Sequence, residues 1–407
     1  MEVGPPARRA LPFLYGTVTL DVIGIGIIAP VTPALITELA GGGLAQAAVY
    51  GGWLVALFAL MQFFAAPIVG NLSDRFGRRP VLLVTLLLYG ASYLFMGLAN
   101  SIPLLFAARC ISGVTSATNS TANAYLADIT APADRARQFG KMGAAFAAGW
   151  IFGPALGGFL GEYGARVPFH VAAGLAFCNV VYGYFFLPES LPPEQRRSFG
   201  WRSANPLGSL LYLRRFSKVL DLIGAQMILM MANAALAVVW PYYAVASFGW
   251  TAGVVGLSIA VFGTLNVLVQ GFLMRFVTGG IGDSRTLQLA VWSSVLGYLG
   301  FAFAPAAWVA VLAIGFWAVS SMANPTLNAI LSRRVPPDSQ GALAGAVASL
   351  QSLMGVVMPI AMTGVFGYFT SARAPIYFPG AAYLCSACIA AIGGIVMTRV
   401  LRAAVVR

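Results

Sequence analysis

The chain has 407 residues, of which 59% are hydrophobic and only 9% are charged. Soluble domains carry about 25% charged residues, so this composition excludes a soluble protein and indicates that lipid surrounds most of the surface. The net charge of +12 alone would suit a nucleic-acid-binding protein, but the basic residues are spread over short segments along the chain.

Continuous apolar stretches alternate along the chain with short polar segments. A helix needs about 20 apolar residues to cross a bilayer, whereas an outer-membrane barrel would show shorter, alternating stretches. We therefore predict an all-α membrane protein with twelve transmembrane helices. The predicted spans are 12–37, 49–71, 80–99, 103–127, 139–161, 167–187, 219–246, 252–274, 286–304, 307–331, 341–368 and 376–398.

The longest polar stretch covers 188–218 and contains the sequence PESLPPEQRRS. A charged stretch that is rich in proline is typical of a linker between folded parts. We predict an N-terminal half of six helices over 1–187, a cytoplasmic linker over 188–218, and a C-terminal half of six helices over 219–407.

A weak internal repeat supports two related halves. Asp134 and Asp338 lie 204 residues apart, each before a glycine-rich span, and Pro154 and Pro359 lie 205 residues apart inside those spans. Parallel repeats of this kind build a large class of transporters, in which the substrate binds at the middle of the membrane between the halves.

The basic residues predict the orientation. If the N-terminus lies in the cytoplasm, 21 of the 24 Lys and Arg residues fall in cytoplasmic segments. Only Arg166 and Arg373 fall on the other side, and Arg109 lies inside a span. Because cytoplasmic loops are enriched in Lys and Arg, we expect a multi-pass protein of the inner membrane with both termini in the cytoplasm. No long basic patch remains for nucleic acid.

Enzyme chemistry has little support in the sequence. Cys385 and Cys388 form a CxxC pattern, but no second such pattern or nearby histidine completes a metal or redox site. The single histidine, His170, is expected at a membrane interface in a structural role. We therefore expect neither an enzyme nor a bound cofactor or metal.

The most specific motif is GNLSDRFGRRP, in the loop after the second span. It resembles the hallmark cytoplasmic loop of the major facilitator superfamily, through Gly70, Asp74, Arg75, Gly77, Arg78 and Arg79. We expect Gly70 to let two helices approach closely and Asp74 to face the positive end of a helix. Arg78 is expected to pair with Asp128 at the end of span four. The group would act as a conformational latch, whereas Arg79 alone is better explained as a basic loop residue.

A second motif, GWIFGPALGG, lies in span five and is similar to the antiporter motif of drug exporters in that superfamily. Its glycines form a stripe for close helix packing, and its proline permits a bend. The resemblance implies export rather than uptake. The residues concerned are Gly149, Gly153, Pro154, Gly157 and Gly158.

Two charged residues lie deep within the spans, whereas Lys141 and Asp221 lie only in the end turns of theirs. Asp21 is about 14 Å deep in the first span, at 1.5 Å per residue, in a sequence that resembles the first span of drug–proton antiporters. Arg109 and Gly113 resemble the span-four motif, although Ser112 stands where the family usually has Gln. We predict that Asp21 and Arg109 couple transport to protons. The alternatives are a capping or packing acid and a fixed structural ion partner.

Amide side chains scattered through the spans are candidates for the substrate cavity, although some could instead join helices. They are Gln62, Asn119, Asn123, Gln226, Asn233, Asn266, Gln270, Asn324 and Asn328.

The resemblance covers nearly the whole chain and is closest to the tetracycline exporters, through RFGRRPVLL, the span-five motif, SFGW and QGAL. It implies a monomer that exports a small, partly apolar compound by proton antiport with alternating access. Small molecules, protons and lipid would be its partners. Three departures put the usual mechanism of proton coupling in doubt, because Ser92, Asn266 and Trp292 replace two acids and a histidine of those exporters.

These departures leave a second interpretation open, a facilitator or uptake carrier that is not coupled to protons. A third, a receptor or assembly factor that transports nothing, is disfavoured by the intact loop motif.

Overall fold

The computed structural model describes residues 5–116, 118–197, 220–336 and 340–403. Within these ranges the chain is helical between short turns and has no β-strand, which confirms the predicted all-α class. The helices are α1 Pro5–Ile28, α2 Thr32–Ala40, α3 Leu44–Phe76, α4 Arg78–Leu98, α5 Ile102–Thr115, α6 Thr118–Ile129, α7 Arg135–Gly161, α8 Val167–Phe186, α9 Leu220–Phe248, α10 Ala252–Leu268, α11 Met274–Ile281, α12 Asp283–Ala302, α13 Ala307–Ser320, α14 Ala323–Arg334, α15 Gln340–Phe369 and α16 Ala381–Ala403.

Ten helical segments of the described ranges are long and apolar enough to cross a membrane. The predicted span 103–127 is not among them, because it is divided into the shorter helices α5 and α6. The predicted span 286–304 belongs to α12, whose first two turns carry Asp283, Arg285 and Gln288. The total of twelve spans therefore stays a prediction.

Two predicted spans differ in shape from the structure. The first is interrupted between Ile28 and Thr32, around Pro30, because proline cannot donate a backbone hydrogen bond within a helix. The eighth was predicted to end at 274, but the helix continues through a π-helical segment, Val269–Leu273, and α11. It ends at Gly282, whose φ of 78° favours glycine.

The internal repeat extends to the helix boundaries. Helices α13 and α14 begin and end 205 residues after α5 and α6, and α12 begins 205 residues after α4. The packing partners repeat as well, because α1 contacts α7 and α8 as α9 contacts α15 and α16. In the buried cores, Leu82 and Leu86 of α4 correspond by the same offset to Leu287 and Val291 of α12.

The chain forms two compact units. The first contains Met1–Gly41, Leu57–Pro206 and Trp250–Ala260, and the second contains Gly42–Ala56, Leu207–Gly249 and Val261–Arg407. The start of α3 therefore groups with the second unit, and the start of α10 groups with the first.

Candidate functional site

Asp21 lies in α1 inside the first unit and is only 5% exposed. Its Oδ1 atom accepts no hydrogen bond from the part of the chain that the structure describes. Two buried tyrosines of α4, Tyr89 and Tyr93, lie within electrostatic range of the carboxyl group. The Tyr93 hydroxyl donates to the Tyr89 hydroxyl at 2.6 Å. A buried carboxylate with an unpaired oxygen is costly, so this position favours a group that binds a proton.

Arg109 on α5 is the basic residue that the sequence analysis paired with this acid for proton coupling. Its guanidinium carbon lies 4.4 Å from the centre of the Phe58 ring, a cation–π contact. Among the described residues it forms no ion pair with Asp21. Both charged groups instead lie within electrostatic range of Tyr89 and Tyr93. The sequence analysis missed these tyrosines, although two tyrosines one helical turn apart in an apolar span are a visible signal.

The loop motif forms a charged network at the start of α4. Arg78 Nη1 lies 2.6 Å from Asp74 Oδ1, and Arg78 Nε donates to Asp128 Oδ2 at 3.0 Å. The Arg78–Asp128 pair that the sequence suggested is therefore present. Glu189, which the sequence analysis missed, accepts the backbone N–H of Arg78 at 2.8 Å. It follows span six in the sequence PES, so its charge beside a proline-rich turn was the available signal.

The glycines of this loop differ in their roles. Gly77 has a φ of 103°, and a side chain there would meet the Glu189 carboxylate, so both backbone and space require glycine. A Cβ atom on Gly70 would meet no atom of the described residues within 4 Å. The close approach of two helices at Gly70 therefore stays a prediction. Arg75 lies over the Phe76 ring at 5.1 Å.

The span-five glycines bring α7 against two other helices of the first unit. A Cβ atom on Gly149 would meet Val22, one on Gly153 would meet the Ile23 backbone, and one on Gly157 would meet the Ile27 carbonyl. Pro154 packs against Gly26 on the same helix, α1. Because glycine has no side chain, the backbones of α1 and α7 can come into close contact at these positions, as expected for small residues between membrane helices.

Gly158 points to another neighbour. A Cβ atom on this residue would lie 3.0 Å from the Gly256 Cα and 3.1 Å from the Gly253 Cα, both in α10. The motif therefore packs on α1 through one face and on α10 through another.

The predicted amides fall into three groups. In the second unit, Gln226 Nε2 donates to Asn328 Oδ1 at 3.4 Å, and Asn233 Oδ1 accepts from the Tyr298 hydroxyl at 3.2 Å. The Asn266 Oδ1 atom is buried without a hydrogen-bond partner in the described residues. The remaining side chains are exposed or half-buried and form no hydrogen bond within the described part of the chain: Gln62, Asn123, Gln270 and Asn324. The side chain of Asn119 lies outside the described residues.

The comparison with known families decides the identity of the fold. The profile of the Major Facilitator Superfamily matches residues 14–359, most of the chain. The chain belongs to the major facilitator superfamily. It is therefore a multi-pass protein of a transporter family, not of an enzyme family, as the loop motif predicted.

Several members of the superfamily resemble the chain along most of its length. The class C tetracycline resistance protein of Escherichia coli is 39% identical over 88% of this chain and 90% of its own. The class G tetracycline resistance protein of Vibrio anguillarum is 36% identical over 86% of this chain and 88% of its own. Multidrug resistance protein 2 of Bacillus subtilis (strain 168) is 28% identical, over 85% and 86%.

Solved structures of superfamily members have the same fold. The nucleoside transporter NupG superimposes with a TM-score of 0.76, at 12% identity, over 98% of this chain and 99% of its own. A human organic anion transporter superimposes with a TM-score of 0.71, at 21% identity, over 97% and 100%. At these identities the likeness concerns the fold alone.

The three positions at which this superfamily member departs from the tetracycline exporters hold groups that do not titrate near neutral pH. Ser92 is buried, and its hydroxyl donates to the Tyr89 carbonyl at 2.7 Å, inside its own helix. Trp292 is 42% exposed, so its ring lies on the surface of the second unit. Asn266 keeps a buried amide oxygen.

Replacing Gly157 by alanine is expected to lower the stability of the protein by about 1–3 kcal/mol. The new Cβ atom would lie 2.6 Å from the Ile27 Cα, so α1 and α7 must move apart. The apparent melting temperature of the purified protein in detergent measures the effect. Gly143→Ala is the matched control on the same helix, because a Cβ atom there meets nothing within 4 Å. Equal melting temperatures for the two variants would contradict the close approach.

A carboxylate also joins the end of α7 to the start of α10 within the first unit. The Gly253 backbone N–H donates to Glu162 Oε1 at 2.7 Å. Hydrogen bonds from the Thr251 side chain and from Gly253 hold the pKa of Glu162 below its usual value. Because the folded pKa is depressed, the contact contributes stability above the unfolded pKa of about 4.3. That contribution is lost as the pH falls through the folded value.

The substitution Glu162→Gln is therefore expected to lower the melting temperature at pH 7 and to have a progressively smaller effect below about pH 4. At low pH the protonated Glu162 and the glutamine are both neutral, so the two proteins converge. Melting curves across this pH range, with Glu194→Gln as an exposed control, make the measurement. A difference that persists unchanged at low pH would show that the charge of Glu162 is irrelevant.

Proposed function

We propose that this protein is a secondary active transporter that exports a small, partly apolar compound by proton antiport with alternating access. The observation that carries the proposal is Asp21, a buried carboxyl group with an unpaired oxygen, in a chain 39% identical to a tetracycline resistance protein. Charged residues within spans are costly and typically mark ion or proton pathways. Arginine cannot release its proton, so Asp21 is the group that changes charge.

In this proposal, Tyr89 and Tyr93 link the proton site to Arg109. The two hydroxyl groups are hydrogen-bonded to each other and lie within electrostatic range of both charged residues. A proton that arrives at Asp21 removes its negative charge, and the tyrosine pair then experiences mainly the field of Arg109. The amides of the spans, together with Gln270 in the π-helical segment, would line the substrate cavity.

We further propose the orientation and the moving parts. Both termini lie in the cytoplasm of a cell whose inner membrane holds the protein, because 21 of 24 basic residues then lie on the cytoplasmic side. The halves 1–187 and 219–407 move around the cavity as a monomer embedded in lipid. The network of Asp74, Arg78 and Asp128 acts as the latch on the cytoplasmic side, and the span-five motif carries close contacts that permit sliding.

The test of the proposal is flux in proteoliposomes with and without an imposed pH gradient. Tetracycline is the first probe, within a panel of drugs, phenolics and lipids. Accumulation should require an acidic lumen when the protein is inserted with its cytoplasmic side outward, and dissipation of the gradient should abolish it. No flux for any compound in the panel would contradict transport altogether.

A facilitator or uptake carrier is the second candidate. The observation that favours it is the absence of a titratable group at Ser92, Asn266 and Trp292. Downhill flux at the same rate with and without the pH gradient would support that candidate over antiport.

A further inference from the structure

The second unit contains a counterpart of the Asp21 site in which the charge is missing. The offset of 205 residues that relates α6 to α14 also relates Asp21 to Gln226, Asn123 to Asn328, and Tyr93 to Tyr298. The acid of the first unit is thus replaced by an uncharged amide whose side chain is one methylene longer. The asparagine and the tyrosine at the corresponding positions are retained.

Gln226 has the same unusual environment as Asp21. It is 2% exposed, and its Oε1 atom accepts no hydrogen bond from the described residues. Its Nε2 atom donates to Asn328 Oδ1 at 3.4 Å, which is long for a hydrogen bond and therefore weak. The Asn328 side chain is exposed. The exposed Asn328 amide and the unpaired Gln226 Oε1 atom therefore place a donor and an acceptor side by side.

A second pair of polar groups, Asn233 and Tyr298, extends the polar surface that Gln226 and Asn328 form. Asn233 follows Gln226 by seven residues, two helical turns, so both lie on one face of α9. The Tyr298 hydroxyl donates to Asn233 Oδ1 at 3.2 Å, and the Trp317 indole N–H donates to that hydroxyl at 3.3 Å. The Asn233 side chain is exposed. Hydrogen bonds from α12 and α13 thus hold the orientation of the amide.

The surroundings of this polar surface carry no charge. Within the described parts of α9, α12 and α14, the acidic and basic residues lie in the end turns, at Asp221, Asp283, Arg285, Arg333 and Arg334. A charged ligand group would lose its hydration here without gaining a counter-ion. A neutral group that both donates and accepts would satisfy the unpaired atoms.

We propose that Gln226 and Asn328 form the half-site that binds a neutral donor–acceptor group of the substrate, such as a carboxamide or a hydroxyl beside a carbonyl. Asp21, at the equivalent position of the first unit, binds the proton. The two repeats thus divide substrate recognition and proton binding between equivalent positions. This inference rests on the proposed function and adds the class of group that the second unit recognises.

The test measures equilibrium binding of two radiolabelled probes to the purified full-length protein. Tetracycline carries a carboxamide and hydroxyl–carbonyl pairs, whereas ethidium is a cation that carries neither. Gln226→Met and Asn328→Leu are each expected to raise the Kd of tetracycline about tenfold, because a polar group is left unpaired. The Kd of ethidium should change by less than about twofold, because ethidium makes no such hydrogen bond.

Asn179→Leu is the matched control for loss of a buried amide. Asn179 is 3% exposed, lies in the first unit and accepts a hydrogen bond from Thr17 at 3.1 Å. This variant should leave the tetracycline Kd unchanged, and it supplies the comparison if ethidium does not bind. The Asn328→Leu variant tests the same half-site if Gln226→Met misfolds, because the Asn328 side chain is exposed and its replacement disturbs packing less.

Three results would overturn the inference: an unchanged tetracycline Kd in both variants, an equal loss for ethidium or in Asn179→Leu, or a wild-type protein that does not bind tetracycline. Proton coupling is measured separately, as the ratio of gradient-driven flux to counterflow. Gln226→Met should retain this ratio. Tetracycline binding without gradient-driven flux would contradict the proposed antiport but not the assignment of Gln226 and Asn328 to substrate binding.

Discussion

Replacing Asp21 by asparagine is expected to abolish accumulation of substrate driven by a pH gradient while exchange between equal pools continues. The amide keeps the size and most of the hydrogen-bonding capacity of the carboxyl group but cannot bind or release a proton. Apart from Asp221, which lies in the first turn of its span, the predicted spans contain no acid other than Asp21, so no other carboxyl group at this depth can replace it. Counterflow and gradient-driven transport in the same vesicles measure the two activities.

The control for this experiment is Asp134→Asn, at an exposed aspartate that precedes α7. That variant should retain both activities, because its carboxylate is exposed on a short 3-10 turn outside the spans. If the Asp21 variant still accumulates substrate against its gradient, Asp21 is a structural residue. The carrier would then use another group or run without protons.

The sequence alone predicted the features that depend on local patterns. Apolar stretches predicted the helices, because each span must satisfy its own backbone hydrogen bonds in lipid. The glycines of span five predicted a packing face, and the structure shows which neighbours it contacts, Val22 and Ile27 on α1 and Gly256 on α10. The Arg78–Asp128 pair could be predicted because a loop arginine needs an acid and few acids are available.

The remaining parts of the site depend on contacts between distant segments. Nothing in the periodicity of α4 indicates that Tyr89 and Tyr93 approach both Asp21 and Arg109, since three separate helices must pack to bring them together. Glu189 lies 111 residues from the arginine that it contacts. The correspondence of Asp21 with Gln226 needed the exact offset of 205 residues, and the helix boundaries decided between the offsets of 204 and 205 that the repeat in the sequence showed.

The same offset reveals a difference between the two ion pairs at the helix ends. Arg78 and Asp128 correspond to Asp283 and Arg333, which form an ion pair at 2.6 Å with the signs exchanged. A helix favours negative charge at its N-terminus and positive charge at its C-terminus. Asp283 opens α12 and Arg333 lies in the last turn of α14, so both charges are favourable.

The first unit has the opposite arrangement. Arg78 opens α4, and Asp128 lies in the last turn of α6, so each charge opposes the dipole of its helix. Asp74 and Glu189 offset this by placing carboxylates at the start of α4. The first pair therefore depends on its neighbours, whereas the second pair is supported by its own helices. If the first pair is the proposed latch, we expect it to break and re-form more readily than the second.

Replacing Arg78 by alanine is accordingly expected to slow transport by about tenfold or more, which about 1.4 kcal/mol of lost stabilisation suffices to produce. The substitution leaves Asp74, Asp128 and Glu189 without their shared cation, and Arg78 is 11% exposed, so solvent compensates poorly. Arg333→Ala is the matched variant in the second unit, and its side chain is 71% exposed. It should slow transport by less than about twofold, because exposed ion pairs contribute little.

The decisive quantities are the maximal rate and the KM for tetracycline in proteoliposomes, measured for both variants. A latch acts on the conformational change, so Arg78→Ala should lower the maximal rate and leave KM nearly unchanged. Arg78→Lys should restore only part of the rate, because lysine keeps the charge but cannot reach Asp74 and Asp128 at once through a planar fork. Equal losses in Arg78→Ala and Arg333→Ala would show that the helix dipoles do not distinguish the two pairs. A raised KM with an unchanged rate would place Arg78 in substrate binding instead.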